Sequence, residues 1–199
     1  TADSKAMLQH IERAADELGS ARVDVLAFAC TASSFVEGDA GETALRQRIE
    51  QAGHSLAVTT SGAVAAALHQ LGVQRLAVAT PYLDELNILE KTYLDAEGFE
   101  VIKIAGMHIA EAFDIGKVTP QETAEFARSA WHPEADALFI SCTNLRTIEV
   151  LQDLKEEFGK PVISSNSATC WACLRALGCE DAQADAVLHG NAAALQQLV

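Results

Sequence analysis

The sequence predicts an α/β protein with two lobes, each built on a parallel sheet that helices cover. Short apolar runs, typical of buried strands, alternate with longer segments of helical periodicity along the 199 residues. Repeated β-α units of this kind form parallel sheets with helices on their faces. Glycine follows several helical segments where a left-handed residue commonly ends a helix: Gly53, Gly72, Gly98, Gly159 and Gly178.

The elements are predicted in the following order. Strands are expected at residues 23–30, 56–59, 76–80, 101–104, 137–142 and 161–164. Helices are expected at residues 3–18, 40–52, 62–71, 83–97, 120–130, 145–158 and 167–177. We expect residues 1–74 and 179–199 to form the first lobe, with an incomplete N-terminal part, and residues 75–178 to form the second.

The composition excludes several classes of partner. The chain is 49% hydrophobic and has a net charge of −14, whereas proteins that bind a phosphate backbone need clustered Lys and Arg. No apolar run approaches the length of a membrane helix, and the first residues show no signal peptide. An odd number of cysteines, five, argues against a disulfide framework. We therefore expect a cytoplasmic protein without nucleic acid or membrane partners. The apolar helix 62–68 is expected to be buried either in the core or in a homo-oligomer interface.

The two halves of the chain carry a weak internal repeat. Residues 28–31, Phe-Ala-Cys-Thr, are echoed by residues 140–143, Ile-Ser-Cys-Thr, and each segment predicts a strand end, Cys-Thr and then a helix. The next units repeat as well, because residues 58–61 and 163–166 each open a helix that ends at a glycine. The repeat predicts a duplicated lobe, and chance similarity between β-α units is the competing explanation.

Cys30 and Cys142 are the candidate reactive residues. Ligands of open parallel sheets bind beyond the carboxyl ends of the strands, where both cysteines are predicted to lie. A helix N-terminus lowers the pKa of a nearby thiol, which makes the thiolate available as nucleophile and base. Two cysteines on opposite sides of one substrate carbon could remove a proton from one face and deliver a proton to the other. Alternatively, one cysteine could add to a double bond while the other transfers the proton. The alternative for each is a small buried apolar residue.

The same strand ends predict a cradle for an anion. Helix N-termini present free backbone N–H groups, which favour a carboxylate without any Lys or Arg. Side chains with neutral donors follow several strands, and helix capping is the alternative role for each. They are Thr59, Thr60, Ser61, Thr80, Tyr82, Ser165 and Asn166.

Cys170 and Cys173 form a CxxC motif, which indicates either a thiol-disulfide pair or two core residues one turn apart on a helix. No second CxxC or paired histidine spacing accompanies it, so no metal site is predicted. The sequence contains neither GxGxxG nor a P-loop, and we expect no cofactor.

Four segments, in order, resemble motifs of the maleate cis-trans isomerase and arylmalonate decarboxylase group of the aspartate/glutamate racemase superfamily. Two of them contain Cys30 and Cys142, one begins Thr80-Pro81-Tyr82, and the last precedes Trp171. Their ranges are 28–35, 80–87, 140–145 and 161–166. The resemblance covers residues 20–178 and implies two pseudo-symmetric parallel-sheet lobes with the active site between them and no cofactor.

The resemblance also implies the roles of individual residues. Cys30 would be the nucleophile that adds to the substrate carbon, and Cys142 would donate or accept the proton. The carboxylate oxygens would be held by Thr31, Ala32, Tyr82, Thr143 and Asn144. Because a decarboxylase of the group has glycine at the first cysteine, the presence of both implies a cofactor-independent isomerase or racemase of a small carboxylate.

Two alternatives stay open, an arylmalonate-type decarboxylase and a non-catalytic dicarboxylate-binding protein associated with ectoine utilisation.

The family's first strand, which usually carries a substrate-binding Asn, is expected to be missing from this sequence, and the sheet edge would then need covering. Maleate isomerases usually have another Asn where this chain reads Glu111-Ala112-Phe113, which argues against maleate itself.

Overall fold

The computed structural model describes residues 6–36 and 38–191, and it is an alternation of strands and helices. The strands are β1 (Val25–Phe28), β2 (Leu56–Thr59), β3 (Arg75–Thr80), β4 (Glu100–Gly106), β5 (Ala137–Ile140) and β6 (Val162–Ser164). The helices are α1 (Ile11–Gly19), α2 (Thr31–Phe35), α3 (Gly38–Gly53), α4 (Thr60–Gln70), α5 (Asp84–Ala96), α6 (Ala112–Ile115), α7 (Pro120–Ala130), α8 (Leu151–Phe158), α9 (Ser165–Ala176) and α10 (Asp181–Leu188).

The strands form two sheets, and every observed pairing is parallel. The larger sheet has the order β4-β3-β5-β6, and the smaller consists of β1 and β2. The predicted α/β class with parallel sheets is therefore confirmed. In the larger sheet the chain leaves β3 toward β4 on one side, and β5 then pairs on the other side of β3. A crevice at the carboxyl ends of β3 and β5 follows from this change of direction.

The strands β3, β5 and β6 of the larger sheet are buried on both faces, which explains why they are mostly apolar runs. Phe139 of β5 and Ile163 of β6 lie in a core cluster with residues of α4, α5 and α9. Leu138 and Ile140 alternate to the other face, where they pack with residues of α7 and α8. Val58 of β2 belongs to the first cluster, so the two sheets share one core.

The second part of the sequence repeat corresponds to two equivalent helices that pack against each other. Helix α4 begins directly after β2, and α9 begins directly after β6. Thr59 caps α4 by accepting from the Gly62 N–H at 3.3 Å, and Ser164 caps α9 in the same way. Between the helices, the hydroxyls of Thr60 and Thr169 lie 3.0 Å apart.

The helix predicted after each Cys-Thr segment is confirmed for the first segment and wrong for the second. Helix α2 follows Cys30 at once, but the helix predicted at 145–158 begins at Leu151. The intervening loop satisfies its polar groups with side chains instead. The Thr147 hydroxyl donates to Ser164 Oγ at 2.9 Å, and the Asn166 amide donates to the Leu145 carbonyl at 3.1 Å. Such bonds compete with helix formation.

Several element boundaries also differ from the prediction. The short helices α6 and α10 were not predicted, and the strands predicted at 23–30 and 137–142 are shorter. Gly53 does not end its helix in the left-handed region, because His54 takes that conformation with φ 51°. Gly53 instead allows close packing, since a Cβ there would overlap the Leu26 side chain. The start of the helix predicted at 3–18 lies outside the described residues.

The smaller sheet leaves one edge of β1 without a strand neighbour within the described ranges. Beside this edge lies an apolar groove of about 250 Å³, lined by residues of α1 and β1 such as Ile11, Leu18 and Phe28. Of the helices that the structure describes, none has the length and apolar character needed to cross a membrane.

Candidate active site

An open cleft of about 840 Å³ lies at the carboxyl ends of the strands of both sheets. Cys30 follows β1 of the smaller sheet, Tyr82 follows β3, and Cys142 follows β5. The structure brings all the predicted site residues to this cleft: Cys30, Thr31, Ala32, Tyr82, Cys142, Thr143 and Asn144. The topology therefore assembles the residues at the crevice of the larger sheet, facing the end of the smaller one.

Cys30 is half-buried at the point where β1 turns into α2. Its backbone is extended, with φ −139° and ψ 103°, as is usual for the residue that precedes a helix. Its thiol donates a hydrogen bond to Ser33 Oγ at 3.1 Å. Thr31 and Ala32 open the helix, so their N–H groups have no acceptor within it.

Cys142 has an unusual backbone conformation. Its φ is 90°, a region that residues with a Cβ rarely adopt. The conformation is held by Ser165, whose hydroxyl oxygen accepts from the Cys142 N–H at 3.0 Å. The same oxygen accepts from the Thr31 hydroxyl at 2.9 Å. Ser165 therefore links the segments that carry the two cysteines, and strain of this kind is typical of functional sites.

Burial raises the pKa of the Cys142 thiol above its ordinary value, and the side chain is 7% exposed. Hydrogen bonds from the Asn144 backbone N–H and the Tyr82 hydroxyl oppose this shift, while the charges of Glu90 and Cys30 add to it. The expectation that a helix N-terminus lowers this pKa is wrong for Cys142, because a loop follows it. Cys142 is thus a protonated thiol at neutral pH, with donors ready for its thiolate.

The polar side chains beside the cysteines hold the walls of the cleft together. The Thr143 hydroxyl donates to the Ala29 carbonyl at 2.9 Å, which ties the loop after β5 to the end of β1. The Asn144 amide donates to the Ala112 carbonyl at 2.5 Å. The predicted contact of Asn144 with substrate stays a prediction.

Tyr82 is buried against Cys142, and its burial raises the pKa of its hydroxyl well above the ordinary value. The Tyr82 N–H donates to Thr80 Oγ1 at 3.1 Å, and the Thr80 hydroxyl donates to Asn87 Oδ1 at 2.5 Å. This short network fixes the turn that places the tyrosine ring in the cleft.

Gly106 makes the position of Tyr82 sensitive to one substitution. A Cβ at residue 106 would overlap the Tyr82 carbonyl oxygen and the Asn87 amide nitrogen. We expect Gly106→Ala to lower stability by about 1–3 kcal/mol, as overpacking does, and to lower kcat because Tyr82 shifts. Urea unfolding and steady-state kinetics measure the two effects. Gly116→Ala is the control, since its Cβ would make only ordinary contacts, and equal behaviour of the two variants would contradict the prediction.

The cleft offers no cationic side chain to an anion among the residues that the structure describes. Its described lining contains the acidic residues Glu85 and Glu111 and no Lys, Arg or His. A carboxylate in this cleft would therefore be bound by N–H and O–H groups, as the sequence predicts. The described part of the chain has no cluster of His, Cys, Asp and Glu that would hold a metal ion.

Sequence reasoning missed part of the site. Ser165 was considered only as one of several strand-end hydroxyls, and its bonds to both cysteine segments depend on tertiary contacts. Ser141 and Glu90 were not considered at all, although the Ser141 hydroxyl donates to Glu90 Oε1 at 2.5 Å. The signal for Glu90 was its helical spacing from Tyr93 and Leu94, which places it on a buried face.

The CxxC motif lies in the middle of α9, outside the cleft lining. Cys170 is exposed and Cys173 is half-buried, and both are free thiols. Burial raises the pKa of Cys170 and raises that of Cys173 to about 11. A redox pair needs an accessible thiolate, so these values disfavour the thiol-disulfide alternative.

Comparison with known proteins identifies the family. The sequence model of the arylmalonate decarboxylase family matches residues 2–189. The maleate isomerase of Nocardia farcinica is 31% identical over 178 residues, which cover 86% of this chain and 71% of that protein. The maleate isomerase of Alcaligenes faecalis is 29% identical over 182 residues, 88% of this chain and 72% of that protein. The arylmalonate decarboxylase of Bordetella bronchiseptica is 27% identical over 175 residues, 87% and 73% of the two chains.

A solved structure adds a chemical detail. It is a cysteine-to-serine mutant of the Nocardia farcinica maleate cis-trans isomerase with a covalently bound succinylcysteine intermediate. Its TM-score is 0.85 at 27% identity, over 88% of this chain and 74% of that one. These similarities confirm the predicted group, the aspartate/glutamate racemase-like fold and an enzyme of the maleate isomerase type. The chain belongs to the arylmalonate decarboxylase family.

Proposed function

We propose that the protein is a cofactor-independent isomerase of a small unsaturated carboxylate of the maleate type, with Cys30 as nucleophile and Cys142 as proton donor. The observation that carries the proposal is that two chemically different thiols line one cleft. Cys30 is half-buried at the start of a helix, whereas Cys142 is buried and keeps its proton. The succinylcysteine in the related structure supports addition of a cysteine to the substrate.

The proposed reaction balances without a cofactor. The Cys30 thiolate adds to one carbon of the double bond, and the Cys142 thiol gives its proton to the other carbon. The bond between the two carbons is now single and rotates. The Cys142 thiolate then removes a proton from the same carbon, and the Cys30–carbon bond breaks as the double bond reforms in the trans arrangement. Both cysteines return to their starting states.

The groups around the thiols support this sequence of steps. The Tyr82 hydroxyl and the Asn144 N–H stabilise the Cys142 thiolate after it has given its proton. In the proposed reaction the N–H groups of Thr31 and Ala32 bind a carboxylate oxygen and stabilise the charge that develops there on addition. The lack of cationic side chains in the described lining favours a small substrate that is held by several neutral donors.

Proton exchange with heavy water tests the proposal. The protein is incubated in D₂O with maleate, aspartate, glutamate, hydantoins and arylmalonates in turn, and the carbon-bound protons are followed by NMR. We expect deuterium to enter a maleate-type substrate as its trans isomer forms, because the Cys142 thiol exchanges with solvent. Substrate binding without exchange or isomerisation at any carbon would contradict the proposal and support a binding protein.

Decarboxylation of a substituted malonate is the second candidate, and the surroundings of Cys142 favour it. The thiol packs in an apolar cluster with Ile115 and Leu145, an environment that suits loss of charge as carbon dioxide leaves. In this reaction the Cys142 thiol protonates the resulting carbanion, and Cys30 has no required role. Carbon dioxide release that survives Cys30→Ser and not Cys142→Ser would select decarboxylation.

We also propose a cytoplasmic location. All five cysteines are free thiols, and the reaction requires both thiols of the cleft to be reduced. Reducing compartments maintain that state. Cell fractionation with an antibody to the protein tests this location.

A further inference from the structure

Glu90 is a buried acid that the proposed reaction does not use. It lies in the middle of α5 and is 1% exposed. Its Oε1 accepts from the Ser141 hydroxyl at 2.5 Å. Its Oε2 is buried and has no hydrogen-bond partner among the residues that the structure describes. An ionised carboxylate with one unpartnered oxygen is very unfavourable in such a place, whereas a neutral carboxylic acid is tolerated.

A chain of hydrogen-bonding groups connects Glu90 to the proposed proton donor. Ser141 immediately precedes Cys142, and its hydroxyl contacts Glu90. The Tyr82 hydroxyl interacts with both the Ser141 hydroxyl and the Cys142 thiol. The order of groups is therefore the Glu90 carboxyl, the Ser141 hydroxyl, the Tyr82 hydroxyl and the Cys142 sulfur.

The protonation state of Glu90 determines the direction of this chain, because each hydroxyl has only one hydrogen. An ionised Glu90 takes the Ser141 hydrogen, and the Ser141 oxygen then attracts the hydrogen of Tyr82 away from the sulfur. A neutral Glu90 with its proton on Oε1 reverses this bond, and it donates across the same 2.5 Å contact to the Ser141 oxygen. Ser141 is then free to donate to Tyr82, and Tyr82 donates to Cys142.

We propose that Glu90, as a neutral carboxylic acid, is a positioning residue that directs the Tyr82 hydroxyl toward the sulfur of Cys142. The proposal rests on the proposed role of Cys142 as proton donor. No proton leaves Glu90 during the reaction. Its effect is that the Cys142 thiolate, formed when the thiol protonates the substrate, receives a hydrogen bond from Tyr82.

The electrostatics of the site agree with this geometry. Burial raises the pKa of Glu90 to about 8, and the Ser141 hydroxyl lowers it by less. When Glu90 does ionise, its charge raises the pKa of Cys142 and of Tyr82. The site therefore favours the thiolate below the pKa of Glu90 and disfavours it above.

The other titratable groups do not supply a counter-charge to Glu90. Besides Tyr82 and Cys142, the described titratable groups are those on α5 and on the elements that pack against it, namely β4, α2 and α3: Asp84, Glu85, Lys91, Tyr93, Asp95, Glu100, Lys103, Glu42, Arg46, Arg48 and Glu50. Among the cations, Lys91 pairs with Asp95, Arg46 with Glu50 and Arg48 with Glu12. Helix α2 has no charged side chain. The Lys103 ammonium donates to the carbonyls of Ser129 and Trp131, so its charge is engaged elsewhere.

The test measures the ionisation of Cys142 directly and needs no turnover. The whole protein is treated briefly with iodoacetamide between pH 6 and pH 11, and alkylation of the Cys142 peptide is quantified by mass spectrometry. In Glu90→Gln, which cannot ionise and still offers a donor to Ser141, we expect the midpoint to fall by about one pH unit. Glu42→Gln is the matched control, because Glu42 is also buried and accepts from a hydroxyl, that of Thr59, and we expect no change.

A double-mutant cycle distinguishes an effect of Glu90 that passes through the hydroxyls of Ser141 and Tyr82 from a direct electrostatic effect of the Glu90 charge on Cys142. We expect most of the Glu90→Gln shift to disappear in a Tyr82→Phe background, because the chain ends at Tyr82. An unchanged Cys142 midpoint in Glu90→Gln, or a shift of the same size in both backgrounds, would overturn the proposal.

The wild-type protein provides a second measurement should Glu90→Gln not fold. Its Cys142 alkylation curve is expected to be broader than that of a single group, because Glu90 titrates in the same range. A simple one-group curve would overturn the proposal. Neither measurement depends on isomerase activity, so a failed heavy-water experiment would disprove the proposed reaction and leave these curves unaffected.

Discussion

Cys30→Ser and Cys142→Ser are each expected to lower kcat for isomerisation by at least about 10²–10⁴-fold, the usual contribution of a proton-transferring side chain. Serine is nearly isosteric but does not ionise in the working pH range. Cys30→Ser removes the proposed nucleophile, so the covalent adduct should not form. Cys142→Ser removes the proton donor and, more severely, the base that must take the proton back. Turnover measured by NMR and intact-protein mass spectrometry in the presence of substrate check both results.

The matched control for these variants is Cys170→Ser on α9. This cysteine is exposed and lies outside the cleft lining, so kcat should stay within about twofold of wild type, as for surface substitutions in general. Wild-type turnover in both cleft variants would refute the two-cysteine mechanism. Loss in Cys142→Ser alone would point to decarboxylation or another reaction with a single proton donor.

Glu90→Gln is expected to change how stability depends on pH. The folded chain keeps the Glu90 proton up to about pH 8, whereas the unfolded chain releases it near the ordinary value of 4.5. Between these values the folded state binds more protons, so wild-type stability falls as pH rises. Glu90→Gln removes this loss. The difference in unfolding free energy between variant and wild type should therefore move in favour of the variant by about 3 kcal/mol from pH 5 to pH 8.

Urea unfolding at several pH values measures this difference. The control is Glu125→Gln, which removes one negative charge from an exposed position of a chain whose net charge is −14. This control measures how far the loss of any one negative charge changes the unfolding free energy. Parallel stability curves for wild type and Glu90→Gln would show that the carboxyl is not held neutral by burial.

Local sequence signals predicted the parts of the fold that depend on local properties. Apolar runs between helical segments predicted the described strands, most clearly β5 and β6, because a strand that is buried on both faces needs apolar residues throughout. The helices α4 and α9 were predicted at 62–71 and 167–177, and each begins two residues earlier, where Thr59 and Ser164 cap them by accepting from backbone N–H groups three residues away. The segments 28–35, 80–87 and 140–145 predicted where the cleft would lie, because they follow strands and the strand ends in parallel sheets meet at one edge.

The loop after β5 shows where local signals end. Residues 145–150 have a pattern compatible with a helix, yet Thr147 bonds to Ser164 and Asn166 bonds to the Leu145 carbonyl. These partners come from β6 and α9, which lie later in the chain. Their hydrogen bonds replace those of a helix.

The sequence by itself determined the order of the β-α units, the parallel sheets and the presence of Cys30 and Cys142 at strand ends. Only the tertiary structure decided that Cys142 is buried while Cys30 is half-buried. Cys142 owes its raised pKa to burial, and its donors come from Tyr82 and Asn144 on different loops. The link to Glu90 joins residues 51 positions apart. Loss of water around a group depends on everything that packs against it, and no local pattern contains that information.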